Sequence, residues 1–213
     1  MVALFVILTI VAFLVADVIV QWASRRKAVA SVSIMTSANL LADVLPEPEV
    51  PGGVFLTPSH LMVGLIPSGQ ARIALDALVH SAFGEPDVVE TPVSGTRVRK
   101  GQPLFTARWG GRTVVFHSPL DGTVVAPVGD EANGWLLSID PVQPRQDLGA
   151  LPMAEDARRW FSQEWARLRD FVAAEAMPAP AMALPDGGKP VGGWMRHEPD
   201  NVWDGFVDSF LKG

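Results

Sequence analysis

A short internal repeat most constrains what this chain can fold into. The stretch TPVSGTRV at residues 91–98 recurs as SPLDGTVV at residues 118–125, an offset of 27 residues. Each copy has a proline, then a turn glycine, then a β-branched run, which is typical of a turn that leads into a strand. Because a repeat this short cannot fold alone, the two copies predict two interlocked β halves related by a pseudo-twofold axis.

A β-hairpin is predicted between the two copies. Strand-forming runs at residues 104–109 and 112–117 flank Gly110 and Gly111. Two adjacent glycines can supply the positive φ angles that a tight two-residue turn needs. Further strands are predicted around the Pro67–Gly69 turn and in NGWLLSIDP at residues 133–141.

Two helices are predicted beside these strands. Asp76 is a good N-cap for a short helix that Gly84 would end. A longer amphipathic helix is predicted within residues 151–177, with Glu155 and Arg159 as a favourable pair four residues apart. Its apolar positions recur at helical spacing: Ala157, Trp160, Phe161, Trp165, Leu168, Phe171 and Val172.

Residues 1–23 form an apolar run that predicts a transmembrane helix. About 22 helical residues span roughly 33 Å, enough for the core of a bilayer. A cleaved signal peptide is the competing interpretation, but a basic leading region and a clear small-residue cleavage site are lacking. The basic residues 25–27 follow the run, which places the N-terminus in the periplasm and the rest in the cytoplasm. Asp17 lies inside the run, where a carboxyl group either reaches the headgroups or contacts another transmembrane helix.

The remaining chain is divided into linkers, a β domain and a C-terminal helix. Residues 24–53 are predicted to be a linker, residues 54–150 the β domain, and residues 178–213 a Pro/Gly-rich linker followed by a docking helix. The last helix has an apolar stripe of Trp203, Phe206, Val207, Phe210 and Leu211. The stripe either folds back onto its own domain or docks on a partner. A protein partner is preferred to an anionic lipid surface because the opposite face is acidic.

Composition excludes several classes of function. The net charge of −6 argues against a nucleic-acid partner, and the absence of cysteine excludes disulfides, thiolate metal sites and cysteine nucleophiles. The histidines show no metal-ligand spacing, and His60, His80 and His117 are interpreted as structural. We therefore expect no enzyme activity, no catalytic residue, no metal and no cofactor.

Three stretches together resemble the H-protein of the glycine cleavage system and its relatives. They are PSGQARIALDALVHSAFG, the paired TPVSGTRVRKGQPLF and FHSPLDGTVVAP, and GWLLSIDP followed by WFSQEWARLRDF, within residues 53–172. The resemblance implies a mainly β fold, the flattened β-barrel sandwich of the lipoyl/biotinyl (hammerhead) family with flanking α-helices. Here one N-terminal transmembrane helix would be added.

In that family a lysine at the hairpin tip carries lipoic acid. Glycine stands at the matching position, Gly111, and the neighbouring Arg112 cannot replace the lysine because a guanidinium is a weak nucleophile. The lysine within the β domain is Lys100, in the turn of the first half. Arg108, Trp109 and Arg112 take the place of the usual acidic neighbours. They form either a protein-contact epitope or a solvated Arg–Trp stack. The link at residues 128–134 is also shorter than in the family.

The sequence thus predicts a degenerate H-like domain without its prosthetic arm. We expect a membrane-anchored accessory or scaffold subunit of a larger bioenergetic membrane complex, photosynthetic or respiratory, in the inner (cytoplasmic or intracytoplasmic) membrane. Its partners would be other subunits and the bilayer. The alternative is a membrane-tethered lipoyl-type carrier or accessory protein of one-carbon or sulfur metabolism, and a third is a small-molecule sensor.

Overall fold

The computed structural model describes residues 45–127, 134–175 and 192–212. These residues form two antiparallel sheets flanked by helices, so the predicted mainly β class is confirmed for this part of the chain. The strands are β1 Val54–Leu56, β2 Leu61–Leu65, β3 Ala71–Leu75, β4 Val88–Glu90, β5 Arg97–Val98, β6 Pro103–Trp109, β7 Arg112–His117, β8 Gly122–Pro127 and β9 Trp135–Pro141. The helices are α1 Ala77–Phe83, α2 Pro144–Leu148, α3 Ala154–Ala174 and α4 Asp200–Phe206, with a 3₁₀ turn at Trp194–His197 and a π-helical turn at Val207–Leu211.

The larger sheet has six strands in the order β1-β2-β3-β9-β8-β5, and the smaller has three in the order β4-β6-β7. The predicted hairpin around Pro67 is present as β2 and β3, with Gly69 at φ +89° in the turn. The predicted closing strand is present as β9, which lies between β3 and β8. Apolar side chains from both sheets and from the helices form the core. Its largest fully buried members include Phe83, Trp109, Phe116, Phe161, Trp165 and Phe206.

The two copies of the repeat pair with each other. Arg97 lies opposite Thr123 in the register of β5 and β8. The repeat-equivalent residues of that pair, Val124 and Thr96, are also joined, with the Val124 N–H donating to the Thr96 carbonyl at 2.9 Å. The predicted contact between the two β halves is therefore present, and their relation by a pseudo-twofold axis stays a prediction.

Helix α1 has the predicted ends. The Asp76 carboxylate accepts hydrogen bonds from the N–H groups of Leu78 and Val79 at 2.9 and 3.1 Å, which satisfies free donors of the first turn. Gly84 follows the helix at φ +70°, and its N–H donates to the carbonyl of His80. Both predicted caps are confirmed.

Helix α3 lies within the predicted range, but its ion pairs differ from the prediction. Glu155 contacts Arg158 at 2.8 Å and Asp156 contacts Arg159 at 3.6 Å. The expected pair of Glu155 with Arg159 is thus replaced by two pairs three residues apart, because side chains at that spacing also share a helix face. The buried face holds Ala157, Phe161, Glu164, Trp165, Leu168 and Val172.

The described part of the predicted linker at residues 24–53 packs against α3. Leu45 is buried, and its carbonyl accepts a hydrogen bond from Nε1 of Trp165 at 3.1 Å. The Glu47 carboxylate accepts another from the Ser162 hydroxyl. The described part of this linker, residues 45–53, has no helix or strand, and its contacts through Leu45 and Glu47 attach it to α3.

The predicted membrane anchor at residues 1–23, Asp17 included, lies outside the described residues. Among the residues that the structure does describe, no helix has both the length and the apolar character needed to cross a bilayer.

Candidate functional site at the hairpin tip

Strands β6 and β7 join through Gly110 and Gly111, at the tip where the family resemblance would place a lysine. Trp109 lies opposite Arg112, so the loop has two residues. Gly110 has φ +61° and Gly111 is not in the left-handed region. A positive φ at the first central position alone is the pattern of a type II′ turn. The expectation that both glycines have positive φ angles is thus corrected.

The backbone of the tip is held by a carboxylate. The Gly110 N–H donates to Oδ2 of Asp87 at 2.6 Å, and Nη1 of Arg196 donates to Oδ1 of the same carboxylate at 2.9 Å. These bonds hold the pKa of Asp87 below its usual range. Arg196 also donates from Nε to the carbonyl of Phe83 at 2.7 Å. One arginine thus joins the end of α1, the tip and the C-terminal segment.

Trp109 is part of the core. Its side chain is buried, its ring lies 4.9 Å from the ring of Phe83, and its Nε1 donates to the carbonyl of Gly84 at 3.0 Å. The expectation of an exposed Trp109 epitope is therefore corrected. The inward direction follows from strand alternation, since Trp109 shares a face with the buried residues Phe105 and Ala107.

The two arginines beside Trp109 have different surroundings. Nη2 of Arg112 lies 2.6 Å from Oδ1 of Asp200, and its guanidinium lies 5.0 Å from the ring centre of Trp203. Arg112 is therefore engaged within its own chain. Arg108 faces solvent and contacts Glu90 at 3.0 Å. Of the three tip residues, Arg108 has the side chain that a partner could most readily reach.

The C-terminal apolar stripe packs onto its own domain. Trp203, Phe206, Phe210 and Leu211 are all buried, and Val207 is half-buried. The ring of Phe206 lies 5.0 Å from Phe83 and 5.8 Å from Phe171. Of the two alternatives, the structure therefore shows the one in which the stripe folds back onto its own domain. The preferred expectation of a docking helix is corrected, because these rings already have apolar partners.

Comparison with solved structures finds a similar chain. It is the crystal structure of a glycine cleavage system H protein from Mycobacterium marinum. The two are 22% identical with a TM-score of 0.41, and the match covers 56% of this chain and 98% of that one. No family model and no curated protein matches this chain.

Lys100, the other amine considered for modification, lies in the turn between β5 and β6. Its Nζ donates to the carbonyl of Asp147 at 3.1 Å, and its backbone N–H donates to the Asp121 carboxylate at 2.6 Å. The first contact ties it to α2, and the second ties it to the turn before β8. Lys100 therefore belongs to a different turn from the hairpin tip.

A buried ionic cluster surrounds His60, which sequence reasoning had treated only as a structural histidine. His60 has no exposed surface, and its Nδ1 lies 2.6 Å from Oδ2 of Asp76. Its Nε2 lies 3.7 Å from Oε2 of Glu164, which Arg167 contacts at 2.5 Å. Burial alone would lower the pKa of His60, but Asp76 and then Glu164 outweigh it and raise the pKa to about 9.

Glu164 is the partner that the sequence reasoning missed. The signal was present, since Glu164 is a charged residue among the apolar positions that α3 buries. The pKa of Glu164 is held below its usual range by His60 and Arg167. The cluster joins the turn before β2, the N-cap of α1 and the middle of α3, and His60 has no contact with solvent. It can hold a buried positive charge.

No group of three or more histidine, aspartate or glutamate side chains is placed to hold a metal in the described part of the chain. Ser118 donates to the carbonyl of Leu120 at 2.7 Å, as expected for a residue beside a turn proline. A shallow groove of about 480 Å³ lies between residues 48–51, α1 and the β2–β3 hairpin. It is mainly apolar and would be the place for the small molecule of the sensor hypothesis.

Proposed function

We propose that this chain is a non-catalytic, membrane-anchored accessory subunit that stabilises a larger membrane complex. The observation that carries this proposal is the state of the hairpin tip. Gly111 offers no amine for a prosthetic arm, and the neighbouring Gly110 is bonded to Asp87 and through it to Arg196. A carrier needs a long, mobile group at this place, whereas a scaffold benefits from a rigid tip.

The globular part is, on this proposal, a degenerate H-like domain. The pairing of the two repeat copies supports this, as does the position of the hairpin between them. The C-terminal segment adds to the domain a clamp that is attached beside the tip through the ion pairs Arg112–Asp200 and Arg196–Asp87. A hairpin tip held by such a clamp has a fixed surface, which suits a scaffold better than a carrier.

Two attachments to the complex are proposed. The first is the transmembrane helix at residues 1–23, where Asp17 would contact a neighbouring helix. The second is the cytoplasmic face of the β domain near Arg108, which is the exposed arginine at the tip. Linking two weak contacts in one chain raises the effective concentration of each. We infer an inner-membrane location and a bioenergetic host, photosynthetic or respiratory, whose co-purifying chains would identify it.

The experiment is extraction of native membranes with a mild detergent, followed by separation by mass. The native chain is expected in a high-mass particle. Replacing Asp17→Leu should release it as a lighter species, while the matched variant Thr9→Leu, at another polar position of the same apolar run, should not. Recovery of the native chain as a free monomer would overturn the proposal.

The competing function, a lipoyl-type carrier, requires a covalent adduct on a lysine. Lys100 is the lysine of the β domain, and its Nζ is bonded to the carbonyl of Asp147. Intact-mass measurement of the chain from its native membranes separates the two functions. The unmodified mass is expected, and a lipoyl adduct that Lys100→Arg abolishes would establish the carrier instead.

A further inference from the structure

Strand β7 exposes a backbone edge. Trp109 and Arg112 are the paired residues that close the two-residue turn. Their backbone groups therefore bond to each other, and by alternation the backbone N–H and C=O groups of Val114 and Phe116 also bond to β6. In β6, the backbone groups of the remaining alternate residues point away from β7. Arg108 shows this, because its carbonyl accepts a hydrogen bond from the N–H of Asp87 on the β4 side. By the same alternation, the backbone N–H and C=O groups of Thr113, Val115 and His117 point outward. Among the described residues β6 is the one strand paired with β7.

The other edges of the two sheets are short or protected. β1 is covered, since its Leu56 N–H donates to the carbonyl of Pro152 at 3.1 Å. β5 has two residues, and β4 has three and lies between Pro86 and Pro92. Proteins protect sheet edges with short strands, charges, prolines or covering segments. The six-residue β7 has no proline, lysine or covering segment in the described structure.

The charge at one end of β7 does not protect this edge. Arg112 is held by Asp200 and Trp203. The outward residues Thr113, Val115 and His117 carry no acidic group and are all exposed, with Val115 at 44%. A strand rich in β-branched residues with free backbone groups fits one kind of ligand, another β-strand.

We propose that β7 pairs antiparallel with β7 of a second copy of this chain, with Val115 on the twofold axis. A twofold contact places the same surface on both sides, so it must be self-complementary. This register sets Val115 against Val115 of the second copy and Thr113 against His117. Each opposed pair can exchange N–H···O bonds, and no two like charges lie opposite each other. The two three-stranded sheets would then form one continuous sheet.

The absence of cysteine allows a direct test of the register in the full-length chain in mild detergent. Val115→Cys is oxidised gently, and Val88→Cys is the control because Val88 is a similarly exposed valine on β4 of the same sheet. We expect about tenfold more disulfide-linked dimer from Val115→Cys, since directly opposed residues lie about 5.5 Å apart, within reach of a disulfide.

Two further variants test the direction of pairing. Thr113→Cys and His117→Cys should each form little dimer alone, but a mixture of the two should form the mixed dimer. The proposal is overturned if Val115→Cys links no better than Val88→Cys. It is also overturned if the single variants link as well as their mixture, or if the second chain is a different protein. Circular dichroism of each variant verifies that the fold is retained.

Discussion

His60 and Asp76 are joined by a buried hydrogen bond of 2.6 Å between Nδ1 and Oδ2. Asp76 also caps α1 through its other oxygen, so one carboxylate positions both the helix and the imidazole. Glu164 approaches the opposite side of the ring at 3.7 Å. His60 itself has φ +58°, which is uncommon for a residue with a side chain. The surrounding contacts therefore hold a strained residue in place.

We expect stability to fall as the pH rises through the range in which His60 titrates. The folded-state pKa of His60 is about 9, above the ordinary value of 6.5. Its stabilisation is fully present below about pH 6.5 and is lost as the pH rises through about 9, a total of about 3 kcal/mol. Urea unfolding of the full chain in mild detergent should show this slope. His60→Gln should abolish the slope, and the exposed control His117→Gln should keep it; equal slopes in the two variants would refute the assignment.

Trp109→Ala should destabilise the protein strongly. It removes a buried ring in contact with Phe83, and losses of this kind are about 3–5 kcal/mol. Trp109→Phe keeps a ring but leaves the Gly84 carbonyl without its donor, so a smaller loss of about 1–3 kcal/mol is expected. Equilibrium unfolding by tryptophan fluorescence measures both, with Val93→Ala at an exposed site as the control. Similar losses for the two Trp109 variants would show that the ring packing matters little.

The two glycines of the tip should respond differently to alanine. Gly110 has φ +61°, so Gly110→Ala should cost about 1–2 kcal/mol from left-handed backbone strain. At Gly111 an added Cβ meets nothing within 4 Å, so Gly111→Ala should change stability by less than about 0.5 kcal/mol. Thermal unfolding of the pair measures the difference. A larger loss at Gly111 would contradict the turn type described above.

The equivalent glycines of the repeat should also differ, and for separate reasons. Gly95 has φ +87° with open space around it, so Gly95→Ala should cost about 1–2 kcal/mol through strain alone. At Gly122 a Cβ would meet Ile139 and lie 2.5 Å from the Asp140 carbonyl oxygen. Gly122→Ala should therefore cost more, about 1–3 kcal/mol or above from overpacking. Denaturant midpoints rank the two, and a smaller loss at Gly122 would argue against the close contact of β8 with β9.

Local patterns in the sequence determined the hairpin around Gly110, the caps of α1 at Asp76 and Gly84, and the pairing of the repeat copies. Each of these depends on residues that are near in sequence or related by the repeat, and the preferences of glycine, proline and aspartate act at short range. The same patterns marked Trp203 and Phe206 as an apolar stripe, but could not say what the stripe contacts. An amphipathic helix needs an apolar partner, and any partner satisfies its pattern.

Tertiary structure alone decided which partner was present. It placed the rings of Trp203 and Phe206 on Phe83, turned Trp109 into the core and brought Glu164 to His60. These contacts join residues far apart in the chain, and they form only when the burial of apolar surface outweighs the entropy of closing long loops. No local preference encodes that balance.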